Sequence, residues 1–284
     1  MNLPIENRAA VLGMGIIGSR VFSRLVSAGW EVSCWNRTAK GLTGEATTPE
    51  AAVKDAAVIS LYLKDAPATR EVVTRIEACL KPGQILLNHA TLDLETTQWL
   101  EMICLGCGCH FLDAPFTGSK VAAENGQLFY YVAGDEKLAG GMAPYLGISS
   151  KGQLYSGEVG SATVLKLATN LISACTVQAL AESFAIASSH GISAECLVQA
   201  VSANACASML SGMKLPTMVA GNFETHFSLS NMEKDSRYML ALAESAGLET
   251  PAIAAVSQRM AALAAQGLGD MDYSAVVKPY LQEA

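Results

Sequence analysis

The sequence predicts an α/β protein of two domains: a parallel sheet covered by helices over residues 1–160, then an all-α C-terminal domain over 161–284, entered through a long helix. Three observations predict this. Short apolar, β-like runs alternate with amphipathic helical stretches through the first half, the pattern of parallel strands joined by crossover helices. A glycine-rich segment directly follows the first of those runs. Beyond Gly157 the strand signals cease, and residues 162–190 form one long apolar stretch with only scattered polar positions.

A chain of 284 residues that is 51% hydrophobic and 16% charged can bury a sizeable core and is too apolar for disorder. Its formal net charge of −7 opposes attraction to a phosphate backbone, so no nucleic-acid partner is expected. Residues 1–8 include Pro4, Glu6 and Asn7 instead of a basic segment leading into a continuous apolar run. The expectation is therefore a cytoplasmic protein without a secretory leader. The eight cysteines stand mostly singly in apolar segments, as free thiols of a reducing compartment do.

Taken in order, the strands are expected at 9–12, 31–35, 57–62, 84–88, 110–113 and 128–133. Helices lie between them, for example at 17–28 and 66–79, the latter stopping before Lys81-Pro82-Gly83. Gly13-Met14-Gly15-Ile16-Ile17-Gly18 stands between the first strand and the first helix, where a dinucleotide fingerprint must stand. Gly13 suits the tight turn, Gly15 lets backbone approach a pyrophosphate, and Gly18 lets helix and strand pack closely, with the helix N-terminus facing negative charge. The first half thus reads as a Rossmann-type domain in which residues 13–18 hold the cofactor.

The second strand ends at Trp35-Asn36-Arg37-Thr38. A site for NAD usually places an acid here against the ribose hydroxyls, and none is present. Arg37, with Asn36 and Thr38, can instead pair with a 2′-phosphate, because guanidinium matches phosphate in charge and in forked geometry. The cofactor expected is NADPH; the alternative is a solvated arginine in an ordinary turn. Cys104, Cys107, Cys109 and His110 have a spacing able to hold zinc, but glycines separate them where a helix hands over to a strand. They are expected to fill a tight turn, with no metal.

In the second half, helices are expected to end at Gly191, Gly247 and Gly267. The stretch 162–190 would run about 43 Å as a helix. Lys166, Asn170, Gln178 and Glu182 interrupt it, against a membrane span. A helix so apolar on most faces is expected to be buried between domains or subunits, in a homodimer or homotetramer. A charged residue on its first turns is costly unless it faces a cleft. Lys166 is such a residue, and Asn170 follows one turn later on the same face. Hydride transfer to a carbonyl develops negative charge on oxygen, which a nearby proton donor must meet. Lysine, with an ordinary pKa of about 10.4, suits that donor in the reducing direction.

Together with the glycine motif, three further segments matter: Asp113-Ala114-Pro115-Phe116-Thr117-Gly118-Ser119-Lys120, then Gly160 with Lys166 and Asn170, then Lys234-Asp235. This set resembles the β-hydroxyacid dehydrogenase family, and the resemblance covers nearly the whole chain. The stretch Gly118-Ser119-Lys120-Val121-Ala122-Ala123-Glu124-Asn125-Gly126 is most similar to the glyoxylate and succinic semialdehyde reductase branch. The resemblance implies NADPH as cofactor and a small carboxylate-bearing aldehyde as substrate. It also implies Lys166 as the acid–base residue and Asn170 as its orienting neighbour. Thr117, Gly118 and Ser119 would receive the substrate carboxylate, and Lys234 would be a second cation near substrate and cofactor. Leu63 and Thr91 are implied on the cofactor side, and Asp235 in a structural role. Phe223 and Phe227 are expected to pack.

Two departures from the family pattern stand out. Phe116-Thr117 replaces a Val-Ser, and Asn88-His89-Ala90-Thr91 replaces a segment with an acid and a Ser-Thr pair. Imine reductases resemble this fold but typically lack the lysine, so imine reduction is the first alternative. A 6-phosphogluconate dehydrogenase would need a longer helical domain and more basic residues. A catalytically silent nucleotide-binding scaffold would be marked by loss of Lys166, which is present.

Overall fold

β1 (Arg8–Leu12) is a run of small and branched apolar residues, the last four buried, as befits a central strand covered on both faces. The computed structural model describes residues 6–281, so residues 1–5 of the segment examined for a leader lie outside the described residues. The chain continues through α1 (Gly18–Ser27), β2 (Glu31–Trp35), α2 (Pro49–Val53), β3 (Val58–Leu61), α3 (Ala66–Ile76), β4 (Ile85–Asn88), α4 (Leu94–Gly106) and β5 (His110–Asp113). Local chemistry starts the helices. Thr48, Asp65 and Asp93 accept from backbone N–H groups of α2, α3 and α4, and Pro49 opens α2 where its missing N–H is no loss.

β1 pairs in parallel with β2 on one side and β3 on the other, and β4 and β5 extend the parallel array. Strand order therefore reverses between β1 and β3, so their carboxyl ends flank a crevice of the kind in which open α/β sheets take ligands. After β5 come β6 (Phe116–Thr117), α5 (Lys120–Glu124), β7 (Leu128–Gly134), α6 (Glu136–Gly147) and β8 (Ser150–Gly157). The sheet order is β2-β1-β3-β4-β5-β7-β6, with β8 on β7. β7 runs antiparallel to β5 and β6, which corrects the expectation of a wholly parallel sheet: the chain turns back on itself through β6 instead of crossing over. β8, absent from the expected strands, is half-exposed and carries two glycines and two serines, so its sequence lacks the apolar run that marks an inner strand.

The chain divides into two compact units, Met1–Lys166 and Leu167–Ala284, the break falling inside α7 (Ser161–Ser189). The first unit's core gathers Val11, Val58, Leu87, Leu112, Leu128 and Tyr130 from the sheet with Leu25 and Leu146 from the helices. The second contains α8 (Ala194–Ala203), α9 (Met209–Val219), α10 (Leu229–Ser245) and α11 (Pro251–Leu263), then a 3-10 segment, Tyr273–Tyr280. Leu215, Met218, Met232, Ile253, Met260 and Val276 fill its core, and Phe223 and Phe227 pack against it as expected. Gly191 and Gly247 follow helices at positive φ, whereas Gly267, also at positive φ, lies within a π-helical segment, Ala264–Leu268.

α7 is long and apolar enough to cross a membrane by composition, with a mean hydropathy of 1.4 in its most apolar window, a test that core helices of soluble proteins also pass. Within the single chain the helix is only partly covered. Only 28% of that window is buried. Val177 and Ala181 lie inside, while Ile172 and Ile186 are 64% and 65% exposed.

Candidate active site

The glycine turn sits at the carboxyl end of β1, and its shape is set by backbone against backbone. Gly13 has φ +103, and a Cβ there would lie 2.3 Å from the Tyr62 carbonyl oxygen. A Cβ on Gly18 would lie 1.9 Å from the Gly13 carbonyl oxygen, whereas one on Gly15 would meet nothing within 4 Å. Two glycines thus close the turn, and the third leaves an open approach in front of the N–H groups that begin α1. That is the cradle a pyrophosphate requires. Ile16 is exposed beside it, Ile17 is half-buried, and Met14 points into the core.

Asn36 is engaged within the turn itself. Its Oδ1 accepts the Met14 N–H at 2.9 Å and its Nδ2 donates to the Thr38 carbonyl at 2.8 Å, so it braces the turn. Arg37 and Thr38 stay exposed beyond it, and among the described residues Arg37 has no hydrogen-bond or ion-pair partner. Leu63 and Thr91 lie half-buried just beyond β3 and β4. Asn88 shapes the segment before Thr91: it donates to the Ala90 carbonyl and accepts the Ala90 N–H, both at 3.1 Å.

Thr117 is exposed at the end of β6, and Gly118 follows at φ +136, where a Cβ would lie 2.8 Å from Leu128 Cδ2. Ser119 is the N-cap of α5, its hydroxyl accepting the Ala122 N–H at 3.3 Å, so its side chain is engaged in the helix start. Lys166 and Asn170 lie one turn apart on α7, each only 8% exposed. Asn170 Nδ2 donates to Asp235 Oδ2 at 2.7 Å, and the other Asp235 oxygen lies 3.0 Å from Lys234 Nζ. Asp235, fully buried on α10, therefore orients the amide of Asn170 and holds Lys234, a more specific role than the structural one expected. A single carboxylate on an otherwise ordinary helix gives no local sign of this.

A second polar group escaped the sequence reading. Tyr62 stacks on His89 with ring centroids 4.4 Å apart, and its hydroxyl bonds Tyr130 at 2.8 Å, which in turn bonds Ser149 at 2.8 Å. His89 Nδ1 lies 2.8 Å from the Ala114 carbonyl and Nε2 lies 3.2 Å from Ser60 Oγ, itself 2.9 Å from the Tyr145 hydroxyl. Burial pushes the His89 pKa down to about 4, so the ring is neutral at physiological pH. Burial also pushes the Asp113 carboxyl up to about 6, despite bonds from Thr163 and Asn88.

The cysteine cluster is a turn. Cys104 and Cys109 are buried, the Cys109 thiol meets the Lys81 carbonyl at 3.1 Å, and His110 is exposed. Burial raises the pKa of both thiols. Among the described residues no group of three His, Cys, Asp or Glu side chains could hold a metal.

A reversed strand order with a glycine cradle at its crevice, joined to a helical second unit, defines an NAD(P)-binding oxidoreductase. Comparison with known proteins agrees. Residues 8–160 match the model of the NAD-binding domain of 6-phosphogluconate dehydrogenase, and 160–280 that of the NAD-binding region of NADP-dependent 3-hydroxyisobutyrate dehydrogenase. The chain is 33% identical to glyoxylate/succinic semialdehyde reductase 2 of Arabidopsis thaliana, over 94% of its own length and 77% of that protein's. Its fold is shared with 3-hydroxyisobutyrate dehydrogenase of Mycobacterium tuberculosis (TM-score 0.88, 23% identity, 96% and 98% of the two chains). An imine reductase from Pseudomonas sp. is more distant (TM-score 0.64, 18% identity, 95% and 98%). The chain belongs to the β-hydroxyacid dehydrogenase family and is an NAD(P)-dependent oxidoreductase of the hydroxyacid dehydrogenase and semialdehyde reductase kind.

Proposed function

We propose that this enzyme reduces a small carboxylate-bearing aldehyde, of the glyoxylate or succinic semialdehyde class, with NADPH, and that Lys166 is its acid–base residue. The observation that carries the proposal is the buried polar pair on α7. Two side chains able to bind a carbonyl oxygen stand on one face of an apolar helix, and a buried carboxylate on α10 orients one of them. Burying such groups is costly even when they are paired, and an apolar helix has no structural need of them. The name of the Arabidopsis relative supports the substrate class.

Bound NADPH supplies the hydride. Thr117, through its hydroxyl, and Gly118, through its N–H, receive the substrate carboxylate. Lys166 Nζ gives a proton to the carbonyl oxygen as the alcohol forms and regains one from solvent; Asn170, held by Asp235, orients that oxygen, and Lys234 adds a positive charge. Arg37 meets the 2′-phosphate, which favours NADPH over NADH. Among the described residues all eight cysteines are free thiols, which supports a cytoplasmic location. The exposed apolar side chains of α7, Ile172 and Ile186 among them, support a homodimer or homotetramer in which a second copy covers them. The second reading, imine reduction, is disfavoured by Lys166, which an imine substrate does not call for.

The test is NADPH oxidation by the purified protein, followed by absorbance, with glyoxylate, succinic, tartronate and methylmalonate semialdehydes and one cyclic imine, repeated with NADH. Turnover of an aldehyde acid is expected, lost in Lys166→Ala while NADPH binds within about twofold of the wild type. Turnover of the imine alone, or a Lys166→Ala variant keeping more than a few per cent of its rate, would overturn the assignment.

A further inference from the structure

Helix starts in this protein are mostly capped by a neighbour in sequence: Asp65, Asp93, Asp135, Ser193, Ser208 and Ser228 each accept an N–H three residues on. α7, the helix that bears Lys166, is held instead from a distant strand. Asp113, the last residue of β5 and fully buried, lies 50 positions before Thr163. Its Oδ2 accepts both the Thr163 N–H at 2.9 Å and the Thr163 hydroxyl at 2.7 Å, and its Oδ1 accepts from Asn88 Nδ2 at 3.3 Å.

Thr163 is the third residue of α7, so its N–H is among those with no partner inside the helix. Counting protons defines the array further. The Thr163 hydroxyl has one hydrogen and gives it to Asp113, so towards Thr97 Oγ1 at 3.0 Å it can only accept, and the single Thr97 hydrogen is shared between Thr163 and the Asp93 carbonyl at 3.2 Å. The Asp113 charge also faces the positive end of a helix of 29 residues.

Thr163, Lys166 and Asn170 stand at positions i, i+3 and i+7, one stripe of the helix, and all three are buried. A clamp on Thr163 therefore sets the rotation and the height of that stripe. Asp113 also begins the segment that reaches Thr117 and Gly118 four and five residues later. We infer that Asp113 is a positioning residue: by gripping the first turn of α7 with its side chain while its backbone leads into the Thr117–Gly118 loop, it holds Lys166 in register with the loop that takes the substrate carboxylate.

This inference rests on the reading of Lys166 as the acid–base residue. Displacement of a reacting group by about 1 Å can cost on the order of 100-fold in rate, so a grip of this kind acts on turnover more than on affinity. The groups facing the Asp113 carboxyl are Asn88 from β4 and Thr163 from α7, with Thr97 of α4 behind Thr163. None of them titrates in the physiological range, so a response near pH 6 belongs to Asp113 itself. Protonation removes the charge that both Thr163 donors share.

Lys166→Ala is measured first, since its outcome judges the acid–base reading alone. Asp113→Asn, Asp113→Ala and Thr163→Val are then compared with wild type in kcat, KM, NADPH affinity and pH profile, with thermal unfolding as the check on folding. The expected result is a fall in kcat of about tenfold or more in Asp113→Asn and Thr163→Val, with KM and NADPH affinity within about threefold. The losses in Thr163→Val and Asp113→Asn should not add in the double variant, because both break one contact. Wild-type kcat should fall on the acid side with a midpoint near 6, and Asp113→Asn should lack that limb. Amide exchange at the start of α7 in the cofactor-free protein should quicken in Asp113→Asn, a readout independent of turnover. If Lys166→Ala is inactive but Asp113→Asn and Thr163→Val keep wild-type kcat, or if the acid limb persists in Asp113→Asn, the inference fails while the reading of Lys166 stands. Should Asp113→Ala not fold, the two isosteric variants carry the test.

Discussion

The three glycines of the cradle make separable claims, and substituting each by alanine distinguishes them. In Gly18→Ala the new methyl would stand 1.9 Å from the Gly13 carbonyl oxygen, so the two must part by roughly 1 Å to reach even a tight contact. Both partners are backbone in a turn that the Gly13 N–H ties to the Trp35 carbonyl, so the strain falls on the sheet edge. A destabilisation of about 1–3 kcal/mol is expected, or roughly 2–4 °C in Tm per kcal/mol for a domain of this size. Gly13→Ala adds a positive-φ penalty of about 1–2 kcal/mol to a clash with Tyr62. Gly15 differs on both counts: it is not at positive φ, and a Cβ meets open space. Gly15→Ala should leave Tm unchanged, or raise it through an unfolded-state gain of about 0.4–1 kcal/mol. Its methyl would nevertheless stand where a pyrophosphate must approach, so NADPH should bind at least about tenfold more weakly, a loss of roughly 1.4 kcal/mol. Thermal unfolding and NADPH fluorescence titration on the same samples measure both quantities. A Gly15→Ala variant that binds NADPH like the wild type would refute the placement of the phosphates at this turn, whatever the other two variants do.

Arg37→Ala should weaken NADPH by about 1.5–3 kcal/mol, the worth of a charge-assisted bond, and leave NADH nearly unchanged; equal losses in the two titrations would remove the 2′-phosphate argument. In the second unit Lys214 Nζ meets Asp272 Oδ1 at 2.6 Å, both side chains buried. Lys214→Met should therefore cost about 3–5 kcal/mol in urea unfolding, much of it recovered in Lys214→Met with Asp272→Asn, since the penalty comes from the stranded charge. His89 predicts a pH dependence. Its pKa is depressed from an ordinary 6.5 to about 4 in the folded protein, so the unfolded chain binds the proton first, and stability from this group is complete above 6.5 and lost as pH falls toward 4. Between pH 7.5 and 5 the wild type should lose about 2 kcal/mol more than His89→Gln. Equal slopes in the two proteins would show that His89 is not buried neutral. Asp113 acts in the opposite sense: its raised pKa lets the folded state take a proton early, so this group adds stability as pH falls from 6 towards its ordinary 3.8.

What could be read from the sequence was what each segment states about itself. β1, β3 and β4 are covered on both faces, so Ala9-Ala10-Val11-Leu12, Val58-Ile59-Ser60-Leu61 and Ile85-Leu86-Leu87 appear as apolar runs that Ser60 alone interrupts. Glycines 13, 15 and 18 announce a turn because positions 13 and 18 have no room for a Cβ and position 15 leaves the approach to the N–H groups open. Lys166 and Asn170 are conspicuous because they interrupt an apolar helix. Direction and pairing are not of that kind. β7 has the same composition whether it runs with β5 or against it, and β8 owes its place to backbone pairing with β7, not to apolar side chains of its own. The polar links are likewise non-local: Asn170 to Asp235 spans 65 positions, Tyr62 to Tyr130 spans 68, and Asp113 to Thr163 spans 50. No periodicity within a window of a helix or a strand can carry such information.

Where those links fall is itself informative. Ser60 and Tyr62 belong to the end of β3, Asn88 and His89 to the end of β4, and Asp113 to the end of β5, whereas the same strands begin with Val58, Ile85 and the exposed His110. Ser60, Asn88, His89 and Asp113 are all buried at these ends. An apolar core of the same shape would avoid their desolvation and would be at least as stable. Stability alone therefore gives no reason to place a carboxylate, a histidine and a tyrosine stacked on that histidine at the carboxyl edge of the sheet. A cofactor crevice gives one, because the turn beneath it must be held rigid by contacts that do not slide. Tyr62 meets that need directly: its carbonyl lies against Gly13, its Cβ against Gly18, and its ring is clamped by His89 and Tyr130. The network that the sequence did not reveal is thus the support of the motif that it did.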